Sequence, residues 1–149
     1  MGTQLLWIGA ISWFAAQSSK LVLTYFATGQ FQFSLLWSSG GMPSAHASLV
    51  SSLSAGLFRY QGLESPVFQV MLFMSLIVMH DAMGVRRQAG EHAKALNSLA
   101  HREGGFGPLK RDEDGKVIQI YKEMIGHTPL QVISGAILGL LIGLYLPPF

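Results

Sequence analysis

The sequence predicts an all-α, integral membrane helical bundle of about four transmembrane helices, with a cytoplasmic helical loop between the third and the fourth. Three observations predict it. Half of the 149 residues are hydrophobic and only 12% are charged, against about 25% charged in soluble domains. The mean hydropathy is +0.37. The charges are also segregated: residues 1–85 hold four, Lys20, Arg59, Glu64 and Asp81, whereas Arg86 to Glu123 holds fourteen, eight basic and six acidic. A soluble globule needs polar faces on every element, and the first half cannot supply them, which excludes the soluble and disordered classes. The length suits one membrane domain over residues 1–149.

A hydrocarbon core of about 30 Å needs about 20 helical residues. The first segment, about 5–27, has that length but carries Gln17, Ser18, Ser19 and Lys20. No basic residue precedes it, the pattern of a span rather than of a cleavable signal. The second, about 44–60, is rich in serine (Ser44, Ser48, Ser51, Ser52, Ser54) and makes sense as a helix only if its neighbours enclose it. The third, about 66–85, is strongly apolar until His80 and Asp81. The fourth, about 128–146, carries Gly135, Gly139 and Gly143 at i, i+4, i+8, a row that lets one helix backbone approach another. It suggests a homodimer packed partly through those glycines. Between the third and fourth segments lies a polar loop, 86–126. Within it Ala89–Arg102 reads as a short helix, 103–108 breaks it, 110–116 is a charged turn, and Val117–Ile125 resumes an amphipathic pattern.

Alternation of four spans brings the loop, with its eight Lys and Arg, to the side where the first segment ends. The positive-inside rule makes that side cytoplasmic. The net charge of +2 is too small and too local to indicate nucleic acid, and the absence of cysteine excludes disulfides and thiolate chemistry.

The same alternation gathers the unusual polar residues at one membrane face. Lys20 lies late in the first segment, Gly40-Gly41-Met42-Pro43-Ser44-Ala45-His46 opens the second, and Asp81, Arg86 and Arg87 close the third. Gly126-His127-Thr128-Pro129 opens the fourth. Ionisable groups at membrane depth are costly and point to function. Helix starts at Ser44 and Thr128 offer backbone amides and the positive dipole end. Lys20, Arg86 and Arg87 add cationic donors suited to phosphate oxygens. His46 and His127 supply proton transfer or a nucleophile near neutral pH. Taken singly, each has a plainer account: Lys20 snorkelling to the interface, Arg86 and Arg87 setting topology, Asp81 pairing with them, and His92 and His101 as ordinary polar residues. Their coincidence on one face favours an anion site with acid–base capacity, and the anion at a membrane surface is a phosphate head group.

Three stretches, Gly-Gly-Met-Pro-Ser-Ala-His at 40–46, Asp-Ala-Met-Gly-Val-Arg-Arg-Gln-Ala-Gly at 81–90 and Lys-Glu-Met-Ile-Gly-His-Thr-Pro at 122–129, resemble the divergent type-2 phosphatidic acid phosphatase family. These are bacterial and plastid membrane proteins related to acid phosphatases and vanadium-dependent haloperoxidases. The resemblance spans nearly the whole chain. It implies a metal-free mechanism in which a histidine attacks phosphorus, a second histidine protonates the leaving group, and Lys and Arg hold the phosphate. By that resemblance His127 is the nucleophile and His46 the general acid. Ser44 and Ala45, Lys20, Arg86 and Arg87 bind phosphate. The chain departs from the wider superfamily at three places: Gln131 stands where an Asp orients the nucleophile, Tyr121 where an Arg binds phosphate, and no Arg-Pro follows Lys20. Gln131 or Glu123 is left to orient His127.

The resemblance thus implies a phosphatase acting on phosphatidate, phosphatidylglycerol phosphate or a polyprenyl pyrophosphate. Its place is the cytoplasmic membrane of a bacterium or a plastid membrane, with the site facing the cytoplasm. No cofactor is expected. An alternative uses Asp81, Glu91 and Glu123 as oxygen ligands for Mg²⁺ in a metal-dependent phosphatase or phosphotransferase. A further alternative is a non-catalytic lipid-phosphate binding or transport protein, which the departures at Gln131 and Tyr121 favour.

Overall fold

The computed structural model describes residues 2–31, 40–101, 121 and 126–147. Within these residues all regular structure is helical and no strand occurs: α1 is Gly2–Thr28, α2 Ala45–Gln61, α3 Pro66–Met83, α4 Val85–His101 and α5 Pro129–Tyr145. Three helices start at a Ser or Thr in extended conformation whose side chain accepts the amide three residues on: Ser44 from Ala47, Ser65 from Phe68, Thr128 from Gln131. Such a cap satisfies one of the amides that a first turn leaves without an intrahelical acceptor. Pro66 and Pro129 follow their caps, where a missing N–H costs nothing.

One boundary differs from the sequence expectation. The third segment ends at Met83 rather than near 85, Gly84 closes it by donating to the His80 carbonyl at 2.9 Å, and α4 starts at once from Val85. Arg86 and Arg87 therefore sit on the first turn of a helix and not in a loop. The physical reason is that the glycine interrupts the helix for a single residue and nothing from Val85 to Gln88 breaks it. The expected break at 103–108, the charged turn and most of the 117–125 pattern, Glu123 included, lie outside the described residues.

α2 is the hub on which α1, α3 and above all α5 pack. Gly135, Gly139 and Gly143 are buried, and a Cβ on each would run into the carbonyl oxygen of Ser44, Ser48 and Ser52 respectively. Two i, i+4, i+8 rows of small residues thus interlock, backbone against backbone. This corrects the expectation that the glycine row serves a homodimer, because α2 of the same chain already occupies it.

The serine-rich helix is enclosed, as its composition required. Ser12, Ser44, Ser48, Ser52 and Ser75 are the largest of the fully buried side chains. Ser12 and Ser48 Oγ lie 2.7 Å apart between α1 and α2, and Ser54 and Ser75 Oγ 2.7 Å apart between α2 and α3. The apolar side chains point outward instead: Val70, Phe73 and Ile77 on α3, Ile133, Ile137 and Leu141 on α5, Leu6 and Phe14 on α1. Among the described residues one stretch, Pro66–Leu99, is by length and composition long and apolar enough to cross a membrane, and α5 is apolar but shorter.

Candidate functional site

The start of α2, the end of α3 and the start of α5 are tied together by main-chain bonds. The Ser44 N–H donates to the Gln131 carbonyl at 2.9 Å, and the His127 N–H donates to the Ala82 carbonyl at 2.9 Å. Gly126, at φ +87°, lies against the Arg86–Arg87 backbone with no room for a Cβ. Only glycine satisfies both the left-handed conformation and that approach. The residue before His127 is therefore what lets His127 reach the α3–α4 junction.

The two histidines expected to act together lie together. Their ring centroids are 6.4 Å apart, inclined at 60°. His46 is exposed on the first turn of α2, whereas His127 is 3% exposed. Gln131 orients the buried ring. Its Oε1 accepts the Thr128 N–H at 3.0 Å and sits 3.3 Å from His127 Nδ1, while the Thr128 hydroxyl accepts the Gln131 N–H at 3.4 Å. A backbone N–H can only donate, so the amide oxygen must face it, and His127 Nδ1 must then carry the hydrogen. In the neutral ring this leaves the lone pair on Nε2, which is buried and makes no hydrogen bond. The capping box of α5 is thus also the device that sets the tautomer.

Burial pushes the His127 pKa below its ordinary value. The bond to Gln131 opposes that shift, the charges of Lys20 and His46 add to it, and the Gly41 main chain opposes it again. Burial thus favours the neutral imidazole, the form that a nucleophile needs.

Two cavities share His127 and Gly126 as a wall. The first, about 190 Å³, is also lined by His46, Asp81, Arg86 and the apolar Ile77 and Val78. The second, about 220 Å³, is lined by Arg87, Glu91, Lys94, Gln131, Thr128 and the Gly40–Gly41 backbone. Arg86 Nε is 2.6 Å from Asp81 Oδ2, and Lys94 Nζ is 3.2 Å from Glu91 Oε1. Lys20 is 3% exposed, with its stem beside Gly41, so it is enclosed in the bundle rather than snorkelling.

Ser44 and Ala45 line neither cavity. Ser44 is fully buried, its hydroxyl accepting from Ala47 and its amide donating to Gln131, so its visible work is to hold α2 against α5. Asp81 and Glu91 face different cavities, and among the described residues no three His, Asp or Glu side chains converge as metal ligands do. Glu123 lies outside the described residues, and the orienting contact on His127 comes from Gln131. Sequence reasoning missed Lys94. Its signal was spacing, since Arg87, Gly90, Glu91 and Lys94 repeat at i, i+3, i+4, i+7 along one helix face.

The family described as the Divergent PAP2 family matches this chain over residues 1–142. The "Uncharacterized membrane protein YuiD" of Bacillus subtilis (strain 168) is 37% identical over 139 residues, which cover 90% of this chain and 87% of that protein. No solved structure matches.

Proposed function

The chain belongs to the Divergent PAP2 family, and on that premise we propose that it is a membrane-embedded lipid phosphatase with a histidine nucleophile. The observation that carries this reading is the unpartnered, buried Nε2 of His127, held in its tautomer by Gln131, with the second imidazole 6.4 Å away.

The Nε2 lone pair attacks phosphorus and the bond from phosphorus to the lipid oxygen breaks. The leaving oxygen takes a proton from His46 as general acid. Water, deprotonated by the now neutral His46, then displaces phosphate from His127 and restores both rings. Arg86 and the buried Lys20 stabilise charge on the phosphoryl oxygens in both transfers. Asp81 keeps the Arg86 guanidinium at the mouth of the first cavity. The hydrocarbon part of the substrate fits an apolar groove of about 490 Å³ lined by Val22, Leu23, Met42, Pro43, Ser134 and Leu138, between α1 and α5.

The outward apolar faces of α1, α3 and α5 around a serine and glycine interior support a four-span bundle in the cytoplasmic membrane of a bacterium or in a plastid membrane. The eight Lys and Arg from Arg86 to Glu123 support a site facing the cytoplasm. A homodimer, with the glycine row taken, has those outward faces for its contact.

Phosphate release from a panel of lipid phosphates in mixed micelles, for wild type and for His46→Ala and His127→Ala, tests the reading. Release by wild type, lost by at least about 10²-fold in both variants, is expected. Lipid-phosphate binding without release favours the binding-protein alternative, which the neutral Gln131 beside His127 supports. Release abolished by chelation and restored by Mg²⁺ favours the metal-dependent one.

A further inference from the structure

Two cavities meeting at one histidine are more than a single phosphoryl group requires. Arg86 and Arg87 are neighbours in sequence, yet about 100° apart around the first turn of α4, and they line different cavities. Gly126 packs on the backbone between them, so the Gly126–His127 segment passes between the two guanidinium-bearing residues. The first cavity holds both imidazoles and suits the reacting phosphoryl group. His46 does not line the second cavity, which shares only His127 with the first among the imidazoles. What it does hold is Arg87, which has no ion-pair partner among the described residues, and Lys94, which is paired with Glu91. Two cations and one carboxylate leave one net positive charge, enough for a phosphodiester or anhydride phosphoryl group, which carries a single negative charge. At about 220 Å³ the cavity exceeds the room that one water takes, about 30 Å³, several times over.

Order along the chain points the same way. Gly41 and Gln131 line the second cavity, while Met42 and Ser134, the next residue in the turn and the next position on that face of α5, line the apolar groove. Reacting site, cationic cavity and apolar groove follow one another.

We propose that the second cavity is a subsite for a second, non-reacting phosphoryl group, and that the preferred substrate is a lipid whose head group carries two phosphoryl groups, joined as an anhydride or through a short polyol. The proposal rests on the phosphatase reading above and narrows its substrate class. It assigns Lys94 and Arg87 to specificity, and it makes a lipid with a single phosphate the poorer substrate because that lipid leaves the cationic cavity empty.

The test separates binding from turnover. Methylphosphonate and methylenediphosphonate are titrated calorimetrically into the purified full chain in detergent, for wild type, Arg87→Gln and Lys94→Gln. Both side chains are exposed, so both variants fold. Wild type binds the diphosphonate at least about tenfold more tightly, and each substitution shrinks that margin severalfold while weakening methylphosphonate much less. In parallel, phosphate release is compared between phosphatidate and a two-phosphate lipid in micelles, and the two-phosphate lipid has the higher kcat/KM. Equal affinity of wild type for the two phosphonates, or a substitution that weakens both alike, overturns the subsite even if phosphatidate is hydrolysed briskly. A preserved margin without release from any lipid keeps the subsite and removes the phosphatase reading instead. A diphosphonate margin combined with a preference for phosphatidate overturns the lipid assignment and points to a soluble diphosphate.

Discussion

The side-chain oxygen of Gln131 sits 3.3 Å from His127 Nδ1 while accepting the Thr128 N–H at 3.0 Å, so a helix cap and a candidate nucleophile share one acceptor. The wider superfamily that the sequence resembles has an aspartate at this position. A neutral amide holds the ring tautomer but adds no charge to stabilise an imidazolium. Replacing Gln131 by Glu is expected to raise the His127 pKa, so that the acidic limb of the pH–rate profile for phosphate release moves to higher pH. Gln131→Ala is expected to lower kcat by about 10- to 10²-fold with a smaller change in KM, as the tautomer is freed. An unmoved acidic limb in Gln131→Glu would remove Gln131 from its orienting role.

His127 also ties stability to pH. Its folded-state pKa lies below the ordinary value, chiefly through burial. As pH falls through about 6.5 the unfolded chain takes up a proton that the folded chain refuses. Stability is therefore full above that range and declines below it. Thermal midpoints in detergent between about pH 7.5 and pH 5 should fall for wild type, and the fall should be shallower for His127→Gln. Parallel curves for the two proteins would contradict the assignment.

The glycine row makes a steric prediction. A side chain at Gly139 meets the Ser48 carbonyl and Cα, which are backbone and cannot swing aside. Gly139→Val is expected to cost at least about 2 kcal/mol, or to prevent folding, whereas Leu140→Ala, on the exposed face next to it, should cost much less. Comparable unfolding midpoints for the two variants would argue against intramolecular packing of the row.

Ser54 and Ser75 bridge α2 and α3, and Ser75 Oγ also lies 3.1 Å from the Val50 carbonyl and 2.7 Å from that of Met71. Hydrogen bonds between membrane helices average about 0.6 kcal/mol and reach about 1.7. A double-mutant cycle with Ser54→Ala and Ser75→Ala should return a coupling energy within that range. A coupling of zero would mean that the two hydroxyls act separately through backbone carbonyls.

Much of the architecture was readable from residue order alone. Apolar run lengths located the helices, and Ser44, Thr128 and Pro129 marked two of their starts, because caps and N1 prolines are local chemistry. The enclosure of α2 followed from its serines, since a hydroxyl-rich helix has poor contact with hydrocarbon. The clustering of His46, His127, Asp81 and Arg86 followed from alternating directions of successive helices. Residue order could not say which surface the glycine row meets. That depended on Ser44, Ser48 and Ser52 presenting a matching row in the same register, each 91 residues before its glycine. Nor could it separate Arg86 from Arg87, because their divergence comes from a helix that resumes one residue after Gly84. The lone pair on His127 Nε2 was likewise decided by packing, since it takes the Thr128 amide, the Gln131 oxygen and the imidazole meeting at one point. Local propensities are written in neighbouring residues. Register and tautomer belong to contacts between distant ones, and only the folded chain makes them.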